Sequence, residues 1–232
     1  RTGALSTGFI AFLLVMAIVV IYAIVFVERA QRRLIVQYPK RQQGNKMYGG
    51  ESSHLPLKIN TSGVIPLIFA SSLLLMPTTV ISLMANTGPE WLTTVSAYMG
   101  RGQFAYNLTY SLLIAFFAFF YTSVVFNPEE TADNLKKYGG FIPGIRPGKN
   151  TAEYLEFVLT RLTVVGALYL VIVALLPEML ISRFNVPFFF GGTSLLIVVT
   201  VTMDTVAQVQ SHLLSHQYEG LIKKSRLKGR RG

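Results

Sequence analysis

The sequence of residues Phe9–Val27 is FIAFLLVMAIVVIYAIVFV, an unbroken run of aliphatic and aromatic side chains. A helix needs about 20 apolar residues to cross the roughly 30 Å hydrocarbon core of a bilayer, and this run is long enough. No charged residue interrupts the longer stretch from Thr2 to Val27. The run therefore predicts a membrane-spanning helix, and it makes lipid the solvent in which the rest of the fold must be explained.

Four more apolar stretches follow along the chain of 232 residues, which is 51% hydrophobic and only 14% charged. Soluble domains usually carry about 25% charged residues. The pattern predicts five spans, at about 8–28, 63–85, 105–126, 161–181 and 187–208. The predicted fold is an all-α polytopic membrane protein, with loops at about 29–62 and 127–160 and a tail at about 209–232. The absence of cysteine excludes disulfides and thiolate metal sites.

Lysine and arginine are concentrated on one side of this pattern. Eighteen of the 21 lie in residues 28–62, 127–161 and 204–232, and only Arg1, Arg101 and Arg183 lie on the other side. The positive-inside rule makes the basic side cytoplasmic, with the start of the segment outside and its end inside. The sequence begins outside with neither an initiating methionine nor a signal peptide, so we expect a piece of a longer membrane protein.

The middle of each predicted span contains no Asp, Glu, Lys, Arg or His. Ion-coupled carriers usually keep ionisable groups there, so the pattern weighs against a pump or a proton-coupled carrier. His212 and His216 have i,i+4 spacing, but no adjacent carboxylate completes a metalloprotease motif. No nucleophile elbow or phosphate-binding glycine loop occurs either. We therefore predict no enzymatic activity, no cofactor and no metal site.

The second span contains two prolines, Pro66 and Pro77. Each removes a backbone hydrogen bond and favours a kink if it lies inside a helix. Membrane helices tolerate such prolines where neighbouring groups satisfy the freed carbonyl. Both a bent packing helix and a helix that hinges agree with this pattern.

The two basic loops hold the candidate docking residues. Residues 29–62 form the more basic loop, with Gly44, Gly49 and Gly50 at a predicted hairpin tip, and residues 127–160 begin as a short amphipathic helix. Basic loops of this kind bind RNA phosphates, anionic lipid or an acidic protein face, and composition does not choose between them. The candidates are Arg32, Arg33, Lys40, Arg41, Lys46, Lys136, Lys137 and Arg146.

Arg146 lies in the turn-rich sequence Pro-Gly-Ile-Arg-Pro-Gly at residues 143–148. Two prolines and two glycines favour a rigid tip that projects the arginine outwards. The tip is therefore a candidate docking element. The simpler interpretation, that Arg146 is one more positive-inside charge, stays open on this evidence.

Several motifs resemble the C-terminal half of the SecY family of bacterial protein-conducting channels, and together they extend over essentially the whole chain. The most specific are VERAQRR at 27–33, YPKRQQG at 38–44, GVIP at 63–66, PGIRPG at 143–148 and FGGTSLLI at 190–197. The resemblance implies five helices that form one half of a ten-helix channel. Two inverted halves would then enclose an hourglass pore with a gate that opens sideways to lipid.

The resemblance also implies roles for particular residues. Ile68 and Ile197 match the pore ring, Arg146 matches the key arginine of the second docking loop, and the lateral gate residues are Ile65, Ser71 and Ser72. The implied partners are the N-terminal half of the channel, the SecE and SecG subunits, the SecA motor ATPase, the ribosome through its RNA, signal sequences and nascent chains, and the lipid bilayer. The implied location is the bacterial inner membrane.

The main prediction is a passive channel subunit that is driven by a ribosome or a motor ATPase. One alternative is half of an inverted-repeat secondary transporter. The absence of ionisable residues from the middle of the spans disfavours it, and so does the motif match. A second alternative is a membrane scaffold with basic docking loops, which predicts no conduction after reconstitution with the missing half.

Overall fold

The structure is a computed structural model that describes residues 6–43, 46–48, 50, 52–84, 88–184 and 192–228, with the backbone alone for 41–43, 46–48, 192 and 216–228. Its helices are α1 (Thr7–Arg29), α2 (Ile65–Met84), α3 (Glu90–Tyr98), α4 (Phe104–Val125), α5 (Pro128–Lys137), α6 (Lys149–Phe184) and α7 (Gly192–Lys228). In this part of the chain, α1, α2, α4, α6 and α7 are long and apolar enough to cross a membrane. The prediction of a mostly helical protein with five spans is confirmed.

The described residues divide into two compact units. One unit holds the residues up to Val25 and those from Leu195 onward, and the other holds Phe26–Ser194. The second unit contains α2 to α6 and the segment between α1 and α2. Most of the candidate functional residues therefore belong to one body.

The segment between α1 and α2 forms a long antiparallel hairpin. Strand β1 (Gln31–Gln37) pairs with β4 (Ser52–Lys58), and β2 (Arg41–Gln43) pairs with β3 (Lys46–Tyr48). Alternate residues of a strand point to opposite faces, and on β1 this alternation buries Leu34 and Val36. The sequence predicted a hairpin tip here. Gly44 and Gly49 of that tip lie outside the described residues.

The helix that contains the fourth span begins at Lys149, well before the predicted start of the span near residue 161. Lys149, Glu153 and Glu156 end the apolar run of the sequence, but they do not end the helix. Ala152 and Leu155 are buried one turn apart between these charges, so this stretch is an amphipathic helix. Charge marks the edge of the membrane here, and the helix continues beyond that edge.

The fifth span also extends past its predicted end. Its backbone remains helical from Gly192 to Lys228, whereas hydropathy predicted an end near residue 208. No proline occurs between Gly192 and Lys228, so every residue of this helix keeps a backbone N–H for helical bonding.

The short helix α3 was not predicted. It lies between the second and third spans, buries Leu92 and carries Glu90 in its first turn, where a carboxylate complements the helix dipole. Its periodic apolar signal is too brief to detect beside the long spans.

Only one of the two prolines of the second span, Pro77, lies inside the helix. Because α2 begins at Ile65, Pro66 occupies the first turn, where its missing N–H has no helical partner to lose. Pro77 lies inside the helix. Next to it, the Thr78 hydroxyl donates to the carbonyl oxygens of Leu74 and Leu75 at 2.9 and 3.0 Å.

Helix α4 packs against both α2 and α6. Phe69 of α2 stacks on Phe117 of α4, with ring centroids 5.6 Å apart. The buried positions of α4 recur every four residues, at Tyr106, Tyr110, Ile114, Ala118 and Thr122. This spacing is typical of one continuous helix stripe, so α4 is the shared packing element of the three spans.

Gly166 on α6 allows the backbone at the base of the hairpin to approach the helix closely. A Cβ added at Gly166 would lie 2.8 Å from the carbonyl oxygen of Ile59, which is a main-chain atom that cannot swing aside. We expect Gly166→Ala to destabilise the protein by about 1–3 kcal/mol, as measured by thermal unfolding of the purified protein in detergent.

Gly8→Ala is the matched control for Gly166→Ala. Gly8 is also helical, and no atom lies within 4 Å of an added Cβ. Alanine is preferred over glycine in a helix, so this change should be neutral or stabilising. Equal unfolding temperatures for the two variants would show that the approach at Ile59 is not tight.

Candidate functional site

Backbone geometry fixes the loop that carries Arg146. Gly144 and Gly148 have φ angles of +85° and +106°, a region that favours glycine. The buried hydroxyl of Thr151 donates to the carbonyl oxygen of Arg146 at 2.9 Å. The Thr151 amide donates in turn to the Gly148 carbonyl at 3.0 Å. The main chain of Arg146 is therefore held in place while its side chain stays exposed.

The Arg146 loop and the basic hairpin share one hydrophobic core. Leu34 and Leu57 of the hairpin, Ile142 of the loop, and Leu155 and Val158 of α6 are buried together. Partly buried apolar side chains surround them: Leu55, Phe126, Ile145, Tyr154 and Leu162. We call the combined body, β1–β4 with residues 126–162, the hairpin platform.

A backbone bridge adds to this core. The amide of Gln37 donates to the carbonyl of Phe141, and the amide of Phe141 donates to the carbonyl of Gln37, each at 2.9 Å. At neighbouring Gly140, an added Cβ would lie 2.9 Å from the ring of Tyr38 and 3.1 Å from Val36. A side chain at position 140 would therefore have to displace the Tyr38 ring. Sequence analysis treated the two basic loops as separate, and the fold joins them.

The docking candidates of the hairpin lie on this platform. Arg32 and Arg33 are exposed on β1, and Lys40 is exposed just before β2. The backbones of Arg41 and Lys46 lie in β2 and β3, and their side chains lie outside the described ones. The structure thus places at least three candidate cations on the same body as Arg146.

Lys136 and Lys137 have a local structural role in α5. Asn127 caps this helix, because its side-chain oxygen accepts from the amides of Glu129 and Glu130 at 3.1 and 3.4 Å. Acidic residues in the first turn and lysines in the last turn both complement the helix dipole. The exposed lysines are therefore explained without any partner.

Positive charge does not cover the platform uniformly. A cavity of about 840 Å³ lies between the end of α4, helix α5 and the start of α6. Several charged residues line it: Glu129, Asp133, Glu153, Glu156 and Lys149. The carboxylates come from two helices, so counting charges along the sequence did not reveal the group. A polyanion would be repelled here, so net charge alone does not describe this surface.

The gate and pore candidates of α2 share one face. Ile65, Ile68 and Ser72 are spaced by three and four residues, and Ser71 adjoins them, which is the spacing of one helix stripe. Ile68 is 40% exposed and Ser72 is exposed. The Ser71 hydroxyl donates to the Ile68 carbonyl at 2.9 Å. The opposite face of α2 is buried, at Pro66, Leu67, Ala70 and Leu74.

Ile197, the second pore candidate, lies on α7 in the other unit. It is 37% exposed, whereas its neighbours Leu196 and Val199 are buried. Ile197 therefore borders the packed side of its helix and keeps free apolar surface, as Ile68 does on α2.

The histidine pair of α7 gains no third ligand in the described residues. His212 is exposed, and the side chain of His216 lies outside those that are described. Within the described part of the chain, no group of three His, Asp or Glu side chains is arranged to hold a metal ion.

Sequence reasoning missed a buried polar cluster at the base of the hairpin. Asn60 is only 4% exposed, and its side-chain amide donates to Glu28 Oε1 at 2.8 Å and to the Gly63 carbonyl at 3.3 Å. The Ser62 hydroxyl donates to the Asn60 side-chain oxygen at 3.1 Å. The available signal was a short polar stretch between an apolar strand and an apolar helix, which also describes an ordinary loop.

The SecY family model matches residues 2–206 of the chain. Protein translocase subunit SecY of Escherichia coli K12 is 57% identical over 230 residues, covering 99% of this chain and 52% of the relative. The subunit from Vibrio cholerae is 54% identical over 233 residues, with coverages of 99% and 52%. The subunit from Rickettsia typhi is 54% identical over 228 residues, with coverages of 98% and 52%. The chain spans about half the length of the curated relatives it matches.

Two solved structures have the same fold. One is described as the structure of a protein conducting channel, with a TM-score of 0.61, 16% identity, and coverage of 87% of this chain and 49% of the other. The second concerns the plug domain of the SecY protein, with a TM-score of 0.62, 16% identity, and coverages of 87% and 50%. At this identity the likeness concerns the fold, and the family model and the close relatives establish the ancestry. The chain belongs to the SecY family.

Proposed function

We propose that the chain forms half of the wall of a protein-conducting channel. The channel passes unfolded secretory chains across the membrane and releases apolar segments into lipid through a lateral gate. The observation that carries this proposal is the SecY match over residues 2–206, together with 57% identity to a protein translocase subunit. The activity belongs to the assembled channel, which includes the N-terminal half. No observation favours the secondary transporter.

We also propose a bacterial inner-membrane location, with the hairpin platform in the cytoplasm. The support is the concentration of 18 of the 21 lysines and arginines on that side. The start of this segment then lies outside and its end lies inside. The SecE and SecG subunits complete the assembly, and the platform receives either the SecA motor ATPase or the RNA of a ribosome, which supplies the energy.

Ile68 and Ile197 are proposed to line the narrowest part of the pore. Branched apolar side chains make a constriction that dewets when it is empty and so blocks ions. Isoleucine suits this role because it is stiff at Cβ and forms no hydrogen bonds. Both side chains keep free surface, being 40% and 37% exposed.

Replacement of Ile68 and Ile197 by glycine should make the resting full-length channel leaky while membrane insertion stays normal. Smaller side chains widen the constriction and allow it to hydrate. The measurement is ion conductance through purified channels without substrate. Val80→Gly is a matched control on α2, since Val80 is also exposed. If the isoleucine variants leak no more than this control, the two residues do not line the pore.

Ser72→Arg should alter gating more than protein abundance. Ser72 lies one helical turn beyond Ile68, on the face proposed to close against the other half of the channel. Closed packing would have to desolvate the new charge inside the membrane, which costs several kcal/mol. The gate should then stay partly open and accept defective signal sequences. Unchanged export of a reporter with a weakened signal, at normal protein levels, would exclude Ser72 from the gate.

Arg146 is proposed to be a geometrically specific docking residue. Its main chain is fixed by the Thr151 hydroxyl and lies between two glycines with positive φ, so little backbone freedom is lost when a partner binds. A guanidinium also offers a planar fork that an ammonium does not reproduce. By contrast, Lys136 and Lys137 have a sufficient explanation in the α5 dipole.

Arg146→Lys should reduce translocation roughly tenfold, the expected loss for a charge-assisted hydrogen bond, and Arg146→Glu should nearly abolish it. Both variants should insert normally, because the other cytoplasmic lysines and arginines preserve topology. The comparison is Lys136→Ala combined with Lys137→Ala, which removes more charge. Translocation and SecA binding are measured at matched abundance. If the double lysine variant is the worst, or if Arg146→Lys is normal, bulk charge explains docking.

A further inference from the structure

The connection between the hairpin platform and α2 is short and anchored by a buried side chain. Strand β4 ends at Lys58 and α2 begins at Ile65, with Asn60 between them. Asn60 is 4% exposed, and its side-chain amide donates to Glu28 Oε1 at 2.8 Å and to the Gly63 carbonyl at 3.3 Å. One side chain therefore links the end of α1, the hairpin and the start of α2.

Other contacts stiffen the same joint. The Ile59 amide donates to the Ala30 carbonyl at 3.2 Å, which closes the base of the hairpin. Gly166 of α6 lets that helix lie against Ile59. The ends of two spans and the side of a third thus meet at one polar cluster.

The energetics make this joint stiff. A hydrogen bond to a charged acceptor contributes about 1.5–3 kcal/mol, and a buried amide that loses its acceptor keeps its desolvation cost. Gly63 has a φ of +66°, and Val64 is buried immediately before α2. The linker from β4 to α2 is therefore held by the Asn60 hydrogen bonds and by a buried side chain.

We propose that Asn60 is a positioning residue that transmits displacement of the hairpin platform to the gate helix α2. This inference rests on the proposed function, in which a partner docks on the platform and α2 carries the gate. Docking changes the gate only if the energy of the open state depends on the position of the platform. The bond between Asn60 and Glu28 makes the open state depend on the position of the platform, because it connects the linker after β4 to the end of α1.

The test exchanges the hydrogen-bond donor and acceptor between positions 60 and 28. The double variant keeps the total charge of the wild-type pair. At an assay pH at which both carboxyl groups are ionised, Asn60→Asp removes the donor and places a second carboxylate beside Glu28, so the bond is lost to like-charge repulsion. In the double variant Asn60→Asp with Glu28→Gln, the new amide at position 28 can donate to the new carboxylate at position 60. The bond to Gly63 stays absent in both variants, so any recovery reports on the pair of residues 28 and 60.

The assay uses the full-length channel in proteoliposomes with the SecA motor ATPase. Three quantities are measured on each variant: SecA affinity, thermal unfolding temperature, and SecA-stimulated conductance and translocation. Asn60→Asp should lose roughly tenfold in stimulated conductance and translocation, the equivalent of ~1.4 kcal/mol, while SecA affinity stays at the wild-type value. The double variant should recover most of the loss. Thr61→Ala is the matched control, because Thr61 makes only an exposed local bond to the Lys58 carbonyl.

A milder variant covers the case in which Asn60→Asp does not fold. Glu28→Ala removes the acceptor and leaves Asn60 bonded to Gly63 and Ser62. It should lower stimulated conductance with unchanged SecA affinity, and wild-type conductance in Glu28→Ala overturns the proposal. A double variant that recovers thermal stability but not stimulated conductance also overturns the proposal, since Asn60 would then act only on stability. Failure of the proposed function gives a different result, namely no SecA-stimulated conductance or translocation by the wild-type channel in the same vesicles.

Discussion

Leu155 of α6 packs in one core with Leu34 of the hairpin and Ile142 of the Arg146 loop, and the arrangement of the basic side depends on this contact. A two-stranded hairpin is marginally stable by itself, so β1 and β4 need an apolar surface to cover one of their faces. The first turns of α6 provide it. Without this burial, the hairpin and the Arg146 loop would be independent basic segments with no fixed relative position.

The same contact connects the basic side to the membrane. Helix α6 runs without a break from Lys149, within the platform, to Phe184 at the far end of a span. It therefore belongs to the platform core at one end and to the packed spans at the other. Under the proposed function, a partner that docks on the platform acts on a body built onto a transmembrane helix, and Asn60 provides a second connection through α2.

A feature was predictable from the sequence where the interaction that causes it is local, and it was missed where residues distant in sequence form the interaction. The spans were predictable because hydropathy is a local property, and the basic side followed from counting charges. The early start of α6 was missed because hydropathy placed the span from about residue 161, and it does not detect the amphipathic turns that precede the apolar run. The platform core was missed because Leu34 and Leu57 are ordinary strand residues, and only the fold brings them to Ile142.

The proposed role of Asn60 depends on Glu28, which is distant in sequence, and no local sequence pattern indicates such a pair. The proposed roles of Ile68 and Arg146 came from family motifs and not from local physics.

Helix α2 combines a stiff beginning with a weakened interior. At its beginning, Pro66 fits the first turn, and the Asn60 cluster fixes the preceding loop. In its interior, Pro77 removes the backbone bond to the Leu73 carbonyl, and the Thr78 hydroxyl adds bonds to the carbonyls of Leu74 and Leu75. Ile68 and Ser72 lie between these two points. If α2 bends at Pro77, the part of the helix before Pro77 rotates as one rigid unit. Movement at the Asn60 joint would then shift the proposed pore residue Ile68 and the proposed gate residue Ser72 together. That coupling gives a physical reason for one helix to bear both a seal against ions and a gate toward lipid.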